Sequence, residues 1–251
     1  MCAVDRTLPG MTSRATTGGL SAATALLALL AVLGACAGAP AAAHTASAAQ
    51  AQDAHGSGLT AAQARERLDA GNLRFVSGHL QHPHQDPDSR SALAGGQLPF
   101  ALILGCSDSR VGPELVYDQG LGDLFVVRVA GNVVNDENLG SIEYAVEHLH
   151  VPLIVVLGHR RCGAIAAARE VVTSHAHAEG HLQSLVDALR PAVEATPGQD
   201  AESTCQANVR EVVAALRASE PVLASRVRSG AVAVIGAYYD LETGAISVLA
   251  D

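Results

Sequence analysis

Three short apolar runs set the architecture of the chain: residues 100–104, 124–129 and 153–157, the second apolar except for Arg128. Each has the length of a strand and is bounded by turn-forming residues, so each reads as a strand. Between them the spacing of apolar positions changes to that of a helix. Gly112-Pro113-Glu114 reads as a helix start, with Pro113 near the first helical position, where its missing N–H costs nothing. A helix capped by Asn138 or Ser141 runs through His150 with Ile142, Ala145, Val146 and Leu149 on one face, and Val151-Pro152 stops it. The order strand, helix, strand, helix, strand predicts an α/β fold. Its core is a parallel sheet with right-handed crossovers and helices on both faces.

The flanking segments extend this core. Residues 59–78 predict an amphipathic helix with Thr60 as N-cap and Gly71 as the point where it can break. Residues 79–97 have no period and read as a wrapping loop. Beyond the third strand, helices are expected over 162–172, 181–191, 203–218 and 220–228. A buried strand at 231–238 and a short one at 245–249 follow, joined by a turn at 240–244 as a hairpin on the sheet edge. The chain has no internal repeat.

Chemistry gathers where the first and third strands end. The first runs into Cys106-Ser107-Asp108-Ser109-Arg110, the third into Gly158-His159-Arg160-Arg161-Cys162-Gly163. In a parallel sheet, ligands bind outside the carboxyl ends of the strands, so the two segments can meet at one point. Two thiolates and an imidazole, from Cys106, Cys162 and His159, are donors that Zn²⁺ prefers. Three protein ligands leave a fourth position where a water loses its proton near neutral pH. Asp108 can accept a hydrogen bond from that water or become a fourth ligand that closes the site. A two-pronged pair with Arg110 would hold its carboxylate off the metal. A disulfide between Cys106 and Cys162 is the competing reading, and it leaves Asp108, Arg110 and His159 unexplained. Cys205 reads as a small apolar residue on a helix. The spacing of His175, His177 and His181 permits a second metal cluster, but they read as solvated loop residues, with proton relay as the alternative.

These residues resemble the motifs of the β-class carbonic anhydrases: Cys106-Ser-Asp-Ser-Arg110, Phe125-Val-Val-Arg128-Val-Ala-Gly-Asn132 and His159-Arg-Arg-Cys162-Gly, within a likeness running from about Leu59 to Leu249. The resemblance implies zinc on Cys106, His159 and Cys162, with Asp108 and Arg110 as a catalytic dyad. It implies reversible hydration of CO₂ to bicarbonate and a proton, and a homodimer or larger assembly with active sites at the subunit interface. Gln119 falls near the position from which family members direct an amide at substrate. Arg128 and the Gly131-Asn132 turn read as supports of the site and the interface. Some family members bind bicarbonate as an inhibitor in a pocket built with tryptophan, and this chain has none. Two other readings stay open: a related zinc hydrolase acting on carbon disulfide or carbonyl sulfide, and a non-catalytic zinc-binding envelope protein.

Composition narrows the setting. A chain of 251 residues with net charge -9 lacks the basic stripe that nucleic-acid binding needs. Its first stretch places Arg6 and Arg14 ahead of an apolar run at 20–33, the layout of an export signal. Leu33-Gly34-Ala35-Cys36 resembles the lipobox of bacterial lipoproteins, which would make Cys36 the lipidated first residue of the mature chain. A plain cleaved signal, with a small-residue site within 39–49, is the alternative. The expected layout is therefore a signal peptide at 1–35, a flexible alanine-rich tether at 36–58 and the enzyme domain at 59–251. The protein is expected in the periplasm, with membrane contact only through a lipid at Cys36. Of five cysteines, Cys2 leaves with the signal, and the three after Cys36 do not suggest a disulfide framework.

Overall fold

The structure is a computed structural model that describes residues 58–250. The expected signal peptide, nearly all of the tether and the lipidation site Cys36 lie outside the described residues. In chain order the elements are α1 (Ala61–Ser77), α2 (Pro87–Ala92), β1 (Ala101–Gly105), α3 (Pro113–Val116), β2 (Leu124–Arg128), α4 (Asp136–His148), β3 (Leu153–His159), α5 (Gly163–Thr173), α6 (Leu182–Glu194), α7 (Ala201–Ala218), α8 (Leu223–Arg228), β4 (Ala233–Tyr239) and β5 (Ile246–Ala250).

The five strands form one sheet in the order β2-β1-β3-β4-β5, parallel except for β5, which runs back beside β4 as the expected edge hairpin. Side chains alternate between faces along each strand. Leu102, Leu104, Ile154, Val156 and Val234 pack against Ile142 and Val146 of α4 and Val209, Val213 and Leu216 of α7. Ala101, Ile103, Val155, Leu157 and Ile235 pack against Ala64 and Leu68 of α1 and Val116 of α3. With both faces covered, β1 and β3 are buried throughout, which is why their sequences are unbroken apolar runs. β2 lies on the sheet edge and is half-buried.

Several expectations need correction. α1 is not broken at Gly71: a side chain there would fall inside the Tyr117 carbonyl oxygen, so the glycine permits close approach of two backbones. Thr60 caps α1 as expected, completing a capping box with Gln63. The segment 79–97 is not all loop. Asp86 caps the short helix α2, with Pro87 in its first turn, and because α2 buries no residue it leaves no apolar period to read. α4 starts earlier than expected: Asn135 is its cap, and Asn138 is the reciprocal partner three residues in. α6 passes through Pro191 to Glu194, carried by the burial of Val186, Leu189, Ala192 and Val193. α7 starts at Ala201 behind the cap Asp200. Among the described residues no helix is long and apolar enough to cross a membrane.

Candidate metal centre

Cys106 follows β1, His159 is the last residue of β3, and Cys162 is the N-cap of α5. Because β1 and β3 are parallel neighbours, their carboxyl ends stand side by side. One donor atom from each of Cys106, His159 and Cys162 lies within 4.8 Å of the others, and all three residues are buried. The two sulfurs are 4.0 Å apart and both thiols are free, about twice the length of an S–S bond, so the disulfide reading is excluded for this structure. A hydrophobic shell of Val133, Ile165, Val186 and Leu189 encloses the thiols.

The polar surroundings orient each donor. His159 Nδ1 donates to the Arg160 carbonyl at 2.9 Å, because a carbonyl can only accept. The tautomer is thereby fixed and the lone pair of Nε2 faces the two sulfurs. Nε2 is buried without any hydrogen-bond partner, a condition a metal ion relieves. The Gly131 N–H donates to Cys106 Sγ at 3.3 Å. The Cys106 thiol is held well below the ordinary range, first by the hydrogen-bonding Cys162 thiol and then, against burial, by His159 and the Gly131 N–H. Cys162 is pushed up in return by the Cys106 thiolate and by burial. A cation takes up both sulfurs as thiolates, so the proton that Cys162 retains is the one it would displace. The donors fit zinc in number, kind and convergence.

Asp108 and Arg110 stand beside these donors. Arg110 Nε and Nη2 donate to Asp108 Oδ1 and Oδ2 at 2.9 and 2.7 Å, and the Arg110 backbone N–H adds a third bond at 3.0 Å. Held mainly by this side-chain pair, the Asp108 carboxyl lies far below the ordinary carboxylate range. Its Oδ2 is 3.9 Å from His159 Nε2, so the carboxylate borders the donor cluster while both of its oxygens are engaged by arginine. Arg128 ties the loop down by donating to the Cys106 and Asp108 carbonyls at 2.8 and 2.6 Å.

The other residues singled out from sequence fall elsewhere. Gln119 is buried and donates to the Tyr117 carbonyl at 2.8 Å, and no hydrogen bond joins it to the donor cluster within this chain. His175, His177 and His181 are exposed, and among the described residues the only group of three or more potential ligands is Cys106, His159 and Cys162. Cys205 is buried on α7 as expected. The Gly131-Asn132 turn, expected as a support of the site, brings the Gly131 N–H to a ligand sulfur and buries Asn132 with both side-chain amide atoms unpartnered. Sequence reading missed Asn208, which donates to the Gly131 carbonyl.

Fold and site together define a class: an α/β protein with a mononuclear Cys-His-Cys metal centre at the carboxyl ends of two parallel strands. The family profile described as carbonic anhydrase matches residues 101–246, and the chain belongs to that family. It is 45% identical to carbonic anhydrase 2 of Mycobacterium tuberculosis over 72% of this chain and 89% of the relative. It is 40% identical to a carbonic anhydrase of Mycolicibacterium smegmatis over 74% of this chain and 91% of that one. Among solved structures it resembles a chain from the crystal structures of two tetrameric β-carbonic anhydrases of Sordaria macrospora, with TM-score 0.58 and 29% identity over 75% of this chain and 97% of that chain. Cys106, His159 and Cys162 are a zinc site of the β-carbonic anhydrase kind.

Proposed function

We infer that this chain is a zinc-dependent carbonic anhydrase of the β class, a lyase that hydrates CO₂ reversibly to bicarbonate and a proton. The observation that carries this reading is the convergence of three buried donors, with His159 Nε2 free and Asp108 clamped beside it. Bound zinc supplies a Lewis acid that makes water nucleophilic near neutral pH. The chain's own residues do the rest. Asp108, ionised well into acid because of Arg110, accepts the hydrogen bond of the reacting water and turns its lone pair toward CO₂. Arg110 keeps that carboxylate from serving as a fourth ligand, and Arg128 fixes the loop from which it projects. The apolar shell around the thiols limits competing water. The test is CO₂ hydration by zinc-loaded protein beside its Cys106→Ser variant, with metal content measured in both. Hydration by the parent and loss of both metal and activity in the variant support the mechanism, and equal rates refute it.

The finer parts of the reading follow. The chain acts as a homodimer or larger assembly: Phe125, Val126 and Val127 of the edge strand are half-exposed, and Leu73, Leu115 and Leu121 are exposed apolar groups of the kind interfaces cover. Light scattering on the purified chain tests this. Gln119, with a buried and unpartnered Oε1, supplies the substrate-directing amide, so Gln119→Ala should raise KM. Export by a signal at 1–35 and lipidation at Cys36 place the enzyme at the periplasmic face of the envelope, on a tether at 36–58. Mass spectrometry of the mature amino terminus tests this, and an unmodified start beyond Cys36 refutes the lipid.

A further inference from the structure

The metal centre is assembled from separate strand ends, and one helix braces both the end of β3 and the turn after β2. α7 turns Glu202, Cys205 and Asn208, spaced three apart and therefore on one helical face, toward the sheet. Glu202 accepts from Arg160 Nε at 2.7 Å, the Cys205 thiol donates to the His159 carbonyl at 3.4 Å, and Asn208 Nδ2 donates to the Gly131 carbonyl at 2.9 Å. The helix comes this close because residue 158 is glycine: a Cβ there would lie 2.6 Å from Val209 Cγ2 and 3.2 Å from Cys205 Sγ. Gly131 is thus held from both sides, its carbonyl by Asn208 and its N–H on the sulfur of Cys106.

We propose that Asn208 is a positioning residue for the metal-binding sulfur of Cys106, acting through Gly131. The proposal rests on the metal-centre reading above. The turn at Ala130–Asn132 follows β2 and Cys106 follows β1. The backbone ladder between the two strands ends at Val129, which bonds to Gly105 and Ser107, and Asn208 is the side chain that anchors Gly131 itself, two residues further on. With Asn208 in place, moving Gly131 away from the sulfur breaks two buried hydrogen bonds, one of them joining residues 77 positions apart in sequence. An N–H donated to a metal thiolate draws charge from the sulfur and fixes its direction, and partners of this kind are worth about 10–100-fold in metal affinity. A purely structural Asn208 would affect stability and leave the sulfur unchanged, and this difference can be measured.

The experiment uses the full chain, loaded with cobalt or zinc, as wild type, Asn208→Ala, Asn208→Asp and the control Thr196→Val. Thr196 shares a buried 2.7 Å hydrogen bond with Thr204 and has no bond to the metal-site residues, so its variant loses stability by another route. The expected result is a shifted thiolate-to-cobalt charge-transfer band and zinc release to a chelator about tenfold faster in both Asn208 variants. In Thr196→Val both readouts should stay at the wild-type value despite reduced resistance to urea. If Asn208→Ala does not fold, Asn208→Asp, which keeps the volume and removes the amide donor, decides. A wild-type band and release rate in the Asn208 variants, or the same changes in Thr196→Val, overturn the proposal. A wild-type chain that takes up neither metal overturns the metal-centre reading itself, and this proposal with it.

Discussion

Two buried polar clusters flank the same sheet and follow opposite rules. Near the start of β2, Asp118 and Asp123 have side chains only 1% and 0% exposed, and each carboxylate oxygen has a donor. Asp118 receives Arg74 Nε at 2.5 Å and the N–H groups of Gln81 and His82 at 3.0 Å. Asp123 receives Arg67 at 2.7 Å, His84 Nδ1 at 2.8 Å and the Gly120 N–H at 2.8 Å. At the metal centre Asp108 is equally saturated, yet His159 Nε2 has no partner and two thiols face each other at 4.0 Å. The first cluster is complete once the chain has folded, and the second is complete only with a cation. Buried polar atoms without partners are costly, so those that persist mark where a ligand belongs.

The contrast breaks most visibly at Asp108. Asp108→Asn keeps the shape and replaces one acceptor with a donor, so kcat/KM for CO₂ hydration should fall by about 10²–10⁴ while zinc content holds. Stopped-flow hydration with metal analysis checks this, and loss of zinc along with activity would make Asp108 a ligand instead of an acceptor. Arg110→Ala should cost less, about 10–100-fold, and should change the pH profile in a definite direction. The Arg110 pair holds the Asp108 carboxyl below its ordinary range. Without it, the carboxyl protonates at higher pH, so activity should be lost earlier on acidification. An acid limb that stays in place or moves downward would show that Asp108 ionisation does not set it.

Legibility in the sequence followed locality. Cys106, Asp108 and Arg110 lie within five residues of one another after a strand, and His159 and Cys162 within four after another, so residue type and strand order brought them together. The parallel sheet was equally plain, because strands covered on both faces show as unbroken apolar runs. Asn208 was invisible, since its partner is 77 positions away and the approach depends on the missing side chain of Gly158. Gly71 misled for the same reason: close backbone contact and a helix break look alike in one sequence. α2 escaped because its existence rests on the Asp86 cap and not on burial.

The saturated cluster should answer in stability and not in turnover. Burial alone would push the Asp118 carboxyl up, and Arg74 with the N–H groups of Gln81 and His82 overcomes this, leaving it below the ordinary range. A carboxyl lowered by folding stabilises the fold above its unfolded pKa of about 3.9 and loses that contribution as pH falls through the folded value. Asp118→Asn keeps a residue that tolerates the positive φ of 45° and removes the charge. It should cost roughly 1–3 kcal/mol in urea unfolding at pH 7, the range for leaving a buried polar group poorly paired. Activity per folded molecule should match wild type, and the stability gap to wild type should narrow in acid. A large drop in turnover at full folding would tie the two clusters together.

The smallest effect is expected at the three histidines that the sequence marks as solvated loop residues. His175, His177 and His181 are exposed, belong to neither cluster and join no group of potential metal ligands. Replacing all three with alanine should leave stability within about 0.5 kcal/mol, as for surface sites without special contacts. Turnover in concentrated buffer should not change, because dissolved base carries the proton away. Dilute buffer is the sharper condition: a histidine relay matters most when little external base is present. Equal turnover of variant and wild type there would leave proton export to solvent reached directly from the Asp108 side of the centre. A fall confined to dilute buffer, restored by added imidazole, would instead extend the functional region from the strand ends to the loop before α6.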